Sequence, residues 1–295
     1  MMKAILFPGQ GSQKVGMAKD HYDSGAEFKK RIDQANEIVG YDLSKIMFEG
    51  PQDKLTQTKF TQPAIFTHSI ALFEKLNIKP DMVAGHSLGE FTALVAADVL
   101  SFETALNLVS LRGKLMQEAG HQQPGTMAAI IGMDDDVVDQ ICDDASSKVG
   151  KPVVAANYNS PGQLVISGDV EAVKEAVEMA KKQGCRLAKL LPVSGAFHSP
   201  LMEPAYKSFK RRVVEIDFSA AKIPVYSNVT GVGTTEPDII KENVIFQLTH
   251  PVKWTDTLKN MEADGATEFT EIGPGKVLQG LVKRTLENVN IEGYE

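Results

Sequence analysis

Apolar positions along this chain follow two rhythms. Lys3 to Phe7 and Met82-Val83-Ala84 are short, nearly continuous apolar runs, which predict strands buried on both faces. Around them apolar residues recur at helical spacing. Helices are expected over 27–39, over 61–76 with Thr61 as cap and Pro63 in the first turn, and over 90–97. Another opens at Ser101 and carries Ala105, Leu108, Val109, Leu115 and Met116 on one stripe. Strand, helices, strand, helix in that order predicts an α/β protein with a parallel sheet covered by helices.

From Gly125 to Leu191 the texture changes. Strands are expected over 126–131, 153–157, 163–167 and 186–191, and helices over 134–146 and 171–183. The order βαββαβ is the ferredoxin-like arrangement, and it reads as an insertion at 125–195 between two parts of a larger unit, 1–124 and 196–295. After it the first pattern resumes, with helices over 202–214, 239–248 and 254–262. Strands are expected over 223–228 and 267–272, and a last helix follows Gly273-Pro274-Gly275.

Composition narrows the function. A formal charge of -7 argues against broad nucleic-acid binding, which favours basic chains. No apolar stretch is long enough to cross a bilayer, and the apolar start is too short for a signal peptide. The two cysteines, Cys142 and Cys185, have neither metal nor redox spacing, so a reduced, cytoplasmic protein is expected. Pro8-Gly9-Gln10-Gly11-Ser12-Gln13 follows the first strand but fails both nucleotide-binding fingerprints, because Lys14 stands where the third glycine is needed and is preceded by Gln13. It is either a tight connection or a loop that donates a backbone N–H to a site.

The chemistry gathers at Gly85-His86-Ser87-Leu88-Gly89. A strand, G-x-S-x-G and a helix in that order make a nucleophile elbow, with Ser87 on a strained turn and a helix N-terminus aimed at it. A serine nucleophile needs a base, and His198 is the best placed of the six histidines. His21 and His121 sit in polar surroundings, His68 lies within a helix, His86 should point away from Ser87, and His250 precedes Pro251 in a loop. No acidic third member is evident. Arg112 falls on the apolar stripe of its helix, four after Leu108 and three before Leu115. An inward guanidinium needs acceptors, either a protein ion pair or an acidic substrate.

These motifs together resemble the malonyl-CoA:acyl-carrier-protein transacylases of fatty-acid synthesis, over essentially the whole chain. The resemblance is carried by Phe7-Pro8-Gly9-Gln10-Gly11-Ser12-Gln13, Gly85-His86-Ser87-Leu88-Gly89-Glu90, Leu111-Arg112-Gly113-Lys114-Leu115-Met116, Asn157-Tyr158-Asn159-Ser160-Pro161-Gly162-Gln163 and Gly195-Ala196-Phe197-His198-Ser199. It implies a hydrolase-like large subdomain and a ferredoxin-like small one. It also implies Ser87 as acylated nucleophile, His198 as base, and the backbone N–H groups of Gln10 and Leu88 as oxyanion hole. Arg112 would hold the malonyl carboxylate, Gln62, Met116, Asn157 and Phe197 would line the substrate site, and the Gln247 carbonyl would support His198. The implied substrate is a coenzyme A thioester, malonyl-CoA, with no metal or redox cofactor. The implied partner is an acidic carrier protein met transiently by a monomer, with no nucleic acid and no membrane. Lys181, Lys182, Arg186, Lys189, Lys207, Lys210 and Arg211 are either its docking surface or solvated faces. A serine thioesterase or esterase is the alternative enzyme.

Overall fold

The computed structural model describes residues 2–295. Among these residues ten strands form two sheets. In chain order they are β1 (Met2–Phe7), β2 (Met82–Gly85), β3 (Gly125–Ile131), β4 (Val153–Ser160), β5 (Gln163–Asp169), β6 (Leu187–Leu190), β7 (Val225–Tyr226), β8 (Gly233–Thr234), β9 (Ala266–Ile272) and β10 (Asn290–Tyr294). The larger sheet has the order β10-β9-β1-β2-β7-β8. Its first five strands run parallel, and β8 joins β7 antiparallel.

The continuous apolar runs are explained by burial on both faces. In β1, Ile5 and Phe7 enter one core and Ala4 and Leu6 the other; β2 divides Val83 from Met82 and Ala84 in the same way. Helices cover each face, so neither side of 4–7 or 82–85 meets water.

The second sheet is antiparallel, in the order β4-β5-β3-β6. Alternate residues face opposite ways. Ala128, Ile130, Leu164 and Ile166 pack on the helices Asp135–Val149 and Val170–Lys182. Met127, Gln163 and Val165 face a cavity instead. Backbone bonds stitch β4 to the larger layer: Tyr158 N–H donates to Val252 O at 2.9 Å, and Val252 N–H to Ala156 O at 2.8 Å.

Several expectations need correction. The helix expected from Thr61 runs from Thr58 to Leu76, with Gln57 as cap residue. The Thr61 N–H already bonds Gln57 O, and its hydroxyl turns to Leu55 O and Gln57 O, so it does not cap. Pro63 therefore sits inside the helix, where its missing N–H leaves Lys59 O without the usual donor. The strand expected over 223–228 pairs only at Val225 and Tyr226, because Asn228 leaves the sheet for the Ser87 turn. Strand β10 and the short helices Lys19–Ser24, Leu43–Glu49 and Gln52–Leu55 were not anticipated. Ser101 does cap its helix, its hydroxyl accepting the Thr104 N–H at 3.1 Å.

Candidate active site

Ser87 occupies the turn between β2 and the helix Gly89–Ala96, with φ at 50° in the left-handed region. Such a φ is costly for serine and persists only where the surroundings force it. The glycines leave room for the turn. A β-carbon on Gly85 would run into the backbone of Gly89, and one on Gly89 into the carbonyl of Phe7. Asn228 completes the hold: its Oδ1 accepts the Ser87 N–H at 2.6 Å and its Nδ2 donates to Gly85 O at 2.7 Å.

The Ser87 hydroxyl stands between two side chains from distant parts of the chain. His198 Nε2 is 2.7 Å from Oγ. On the far side of that ring, Nδ1 lies 2.8 Å from Gln247 O and 3.2 Å from His250 O. Both are acceptors, so Nδ1 carries the proton and Nε2 is free to take one from serine. Burial, and then the nearby Arg112 charge, push His198 down to about 3, so the ring is neutral near pH 7. No carboxylate is needed to fix the tautomer, because two carbonyls do it.

Arg112 Nη2 donates to Ser87 Oγ at 3.1 Å and to Gln247 Oε1 at 2.8 Å. The residue is fully buried, with its guanidinium 5.6 Å from the centre of the Phe91 ring. Its Nε and Nη1 have no hydrogen-bond partner among the described residues. Burial pushes the guanidinium down to about 10, opposed by the Glu90 charge. Of the two readings of an inward arginine, a protein ion pair is not what forms here: both acceptors of Arg112 are neutral.

A cavity of about 260 Å³ opens at Ser87. Gln10, Leu88, Gln62, Met116, Asn157, Phe197 and His198 line it, together with Met127, Val165 and Leu191. Gln62 is buried with Nε2 3.3 Å from Met116 Sδ, and its Oε1 has no partner. Among the described residues neither the Leu88 nor the Gln10 backbone N–H has a protein acceptor. Each belongs to a residue lining the cavity beside Ser87, and the N-terminus of the Gly89–Ala96 helix adds partial positive charge there. No group of three or more His, Cys, Asp or Glu residues is placed to hold a metal among the described residues.

Of the other histidines, His21, expected to be exposed, is half-buried, with Nδ1 2.8 Å from Lys75 Nζ and Nε2 3.0 Å from Glu295 O. His86 turns away from Ser87, with Nε2 2.8 Å from Asn159 Oδ1 and its ring against Trp254. His68 is buried in its helix, and His121 and His250 are exposed.

Residues 5–295 match the acyl transferase domain family. The chain belongs to that family. It is 47% identical to the malonyl CoA-acyl carrier protein transacylase of Bacillus subtilis strain 168, covering 95% of this chain and 89% of the relative. It is 43% identical to the protein of that name from Staphylococcus aureus strain MRSA252, covering 99% and 95%. An acyl carrier protein S-malonyltransferase structure from Vibrio cholerae superposes with a TM-score of 0.95 at 42% identity, covering 100% of this chain and 97% of that one. A complex of a type II PKS acyl-carrier protein with its malonyl-transacylase gives 0.94 at 38% identity, covering 99% and 95%. The α/β fold with a mixed, mostly parallel sheet is thus shared with solved family members.

Three residues that hold the site were not singled out from the sequence: Asn228, Glu90 and Asn159. Glu90 is fully buried in the first turn of the elbow helix, where its Oε2 accepts from Gln247 Nε2 at 2.6 Å and from Asn228 N–H at 3.2 Å. A carboxylate one turn past a serine on an otherwise apolar helix was the available signal. For Asn228 the signal was weaker, a polar residue at the end of a short apolar run.

Proposed function

We propose that the protein moves a malonyl group from malonyl-CoA to the phosphopantetheine thiol of an acyl carrier protein, by a ping-pong route through a malonyl ester of Ser87. The observation that carries this reading is the position of Ser87 Oγ, 2.7 Å from His198 Nε2 and 3.1 Å from Arg112 Nη2. A nucleophile–base pair performs acyl transfer, and a buried guanidinium beside it selects an acyl group that ends in a carboxylate.

His198 Nε2 takes the Ser87 proton as Oγ attacks the thioester carbon, while Nδ1–H stays on the Gln247 carbonyl. The Leu88 and Gln10 N–H groups receive the tetrahedral oxyanion, each worth about 3 kcal/mol in such sites. Coenzyme A leaves with the proton, and the malonyl ester remains with its carboxylate on Arg112. The carrier thiol then gives its proton to His198 and attacks the ester carbon; the bond to Ser87 Oγ breaks, and His198 returns the proton to that oxygen. Phe197, at the cavity wall beside the base, crowds the carbon next to the malonyl carboxylate and disfavours a methyl branch.

The same reading divides the chain into a hydrolase-like subdomain, 1–124 with 196–295, and a ferredoxin-like one, 125–195. The strand order β4-β5-β3-β6 supports the second. The reaction as written needs a coenzyme A thioester and no metal or redox cofactor. One chain supplies every group named, which suits a monomer that meets its carrier transiently. Two unpaired thiols, Cys142 and Cys185, suit the cytoplasm.

A thioesterase would share Ser87 and His198 but has no use for a malonyl acceptor. Intact-protein mass spectrometry after addition of malonyl-CoA separates the readings. A malonyl adduct on Ser87 that persists in buffer and discharges onto added carrier protein is expected. An adduct that hydrolyses equally fast without carrier would favour the thioesterase, and no adduct at all would remove both.

A further inference from the structure

Glu90 is a fully buried carboxylate that the mechanism above does not use. It faces the Gln247 side-chain amide, and that amide faces Arg112. Resting on the acyl-transfer reading, we propose that Glu90 is a positioning residue for acyl selection: through the Gln247 amide it holds Arg112 beneath Ser87 while its own carboxylate stays off the guanidinium.

Donors and acceptors decide the arrangement. A carboxylate can only accept and a guanidinium can only donate, so an amide between them has one satisfied orientation. Gln247 adopts it, with Nε2 2.6 Å from Glu90 Oε2 and Oε1 2.8 Å from Arg112 Nη2. The same Nε2 donates to Ser87 O at 3.0 Å, so this amide touches the elbow, the arginine and the carboxylate together. Remove the carboxylate and the amide loses what sets its direction. Turned over, it would present N–H groups to a guanidinium that can accept none.

The spacing matters as much as the direction. A carboxylate in direct contact would satisfy Arg112 and leave little for a substrate carboxylate to gain. Set one amide away, Glu90 supplies countercharge only in its ionised fraction, and Nε and Nη1 of Arg112 keep no protein partner among the described residues. The mutual effects on the two groups agree: Glu90 opposes the fall of Arg112, and burial raises Glu90 itself to about 7 although Gln247, Asn228 and Arg112 all pull it down.

The test compares Glu90→Gln, Glu90→Leu and the exchange Glu90→Gln with Gln247→Glu, using kcat and KM for malonyl-CoA and acetyl-CoA at fixed carrier protein, with circular dichroism to follow folding. Glutamine keeps an acceptor for the Gln247 amide, so Glu90→Gln should stay within about tenfold of the parent for malonyl-CoA, the size of one hydrogen bond's change. Glu90→Leu should raise KM for malonyl-CoA by about 10- to 100-fold and lower the malonyl-to-acetyl ratio of kcat/KM by at least about tenfold. The exchange puts a carboxylate directly against Arg112, and its malonyl-to-acetyl ratio of kcat/KM should fall at least about tenfold even if Glu90→Leu does not fold. Equal losses for both thioesters in the folded variants, or an unchanged ratio in the exchange, would overturn the proposal. Neither result touches the transfer reading, which stands or falls on the malonyl adduct of the parent protein.

Discussion

The two sheets meet the cavity in different ways. The six-stranded sheet ends there in backbone that has no freedom: Gly85 and Gly89 admit no β-carbon, Ser87 is held at positive φ, and Asn228 ties its N–H and the Gly85 carbonyl. The four-stranded sheet meets the cavity with a wall of ordinary side chains: Met127, Gln163 and Val165 by simple alternation, and Asn157 after a shift of register in β4 that turns it away from the side Ala155 faces. Chemistry is assigned to the part that cannot move, and fit to the part that tolerates change. The parallel sheet, buried on both faces, can fix a turn at its strand ends. The antiparallel sheet needs only one of its faces for its core, and the other is left to line the cavity.

Substitutions should therefore separate the two regions by the size of their effects. The largest is expected from Ser87→Ala, which deletes one oxygen and should leave the fold intact while abolishing the covalent malonyl adduct by mass spectrometry. An adduct of undiminished yield would break the assignment of chemistry to the elbow. His198→Ala should slow acylation by about 10² to 10⁴, the range for a lost general base. Stopped-flow acylation near the parent rate would return the base to another histidine.

A third effect is on stability. Burial pushes His68 down to about 3, and its two ring nitrogens have no hydrogen-bond partner among the described residues. The folded ring stays neutral where the unfolded one, near pH 6.5, takes a proton. Its contribution is thus fully present above pH 6.5 and is lost progressively as pH falls toward the folded value. Between pH 7 and 5 that loss is about 2 kcal/mol. Glu90, raised to about 7, acts with the opposite sign between its unfolded value of 4.5 and pH 7. Urea denaturation of His68→Leu at pH 7 and 5 should show the smaller acid loss. All the histidines lie outside residues 125–195, so this sensitivity belongs to the larger layer. An equal loss in parent and variant would contradict that placement.

The smallest effect is expected on the other sheet. Lys181 and Lys207 sit beside Glu178 and Glu203 and read as solvated faces. Lys189 is exposed on β6, two residues before Leu191 at the cavity wall. Lys189→Glu should raise KM for an acidic carrier protein by about two- to tenfold and leave kcat alone. An unchanged KM would move the dock away from this edge.

The elbow was legible in the sequence because its constraint is local: five consecutive residues hold the glycines, the nucleophile and the helix start. Arg112 was legible as an inward residue from helical spacing, but what it meets was not, since Ser87 and Gln247 are brought to it by the fold. The βαββαβ order was readable from alternation, whereas β10 was not, because Asn290–Tyr294 is short, polar and largely exposed at the sheet edge. Thr61 was misread as a cap because a proline two residues on imitates a helix start; the preceding Thr58–Phe60 turn carries no such mark. Glu90 escaped notice because its partners, Gln247 and Asn228, lie about half the chain away.

The central claim is that a buried guanidinium sharing Ser87 with the base makes this site one for carboxylated acyl groups. The most direct measurement is kcat/KM for malonyl-CoA and acetyl-CoA on the parent and on Arg112→Ala, with circular dichroism on both. Charge-assisted hydrogen bonds are worth about 1.5–3 kcal/mol each, so loss of two should lower the malonyl-to-acetyl ratio by about 100-fold or more. That fall is expected, with acetyl transfer retained or raised. A ratio that is the same before and after substitution, in a folded protein, would contradict it.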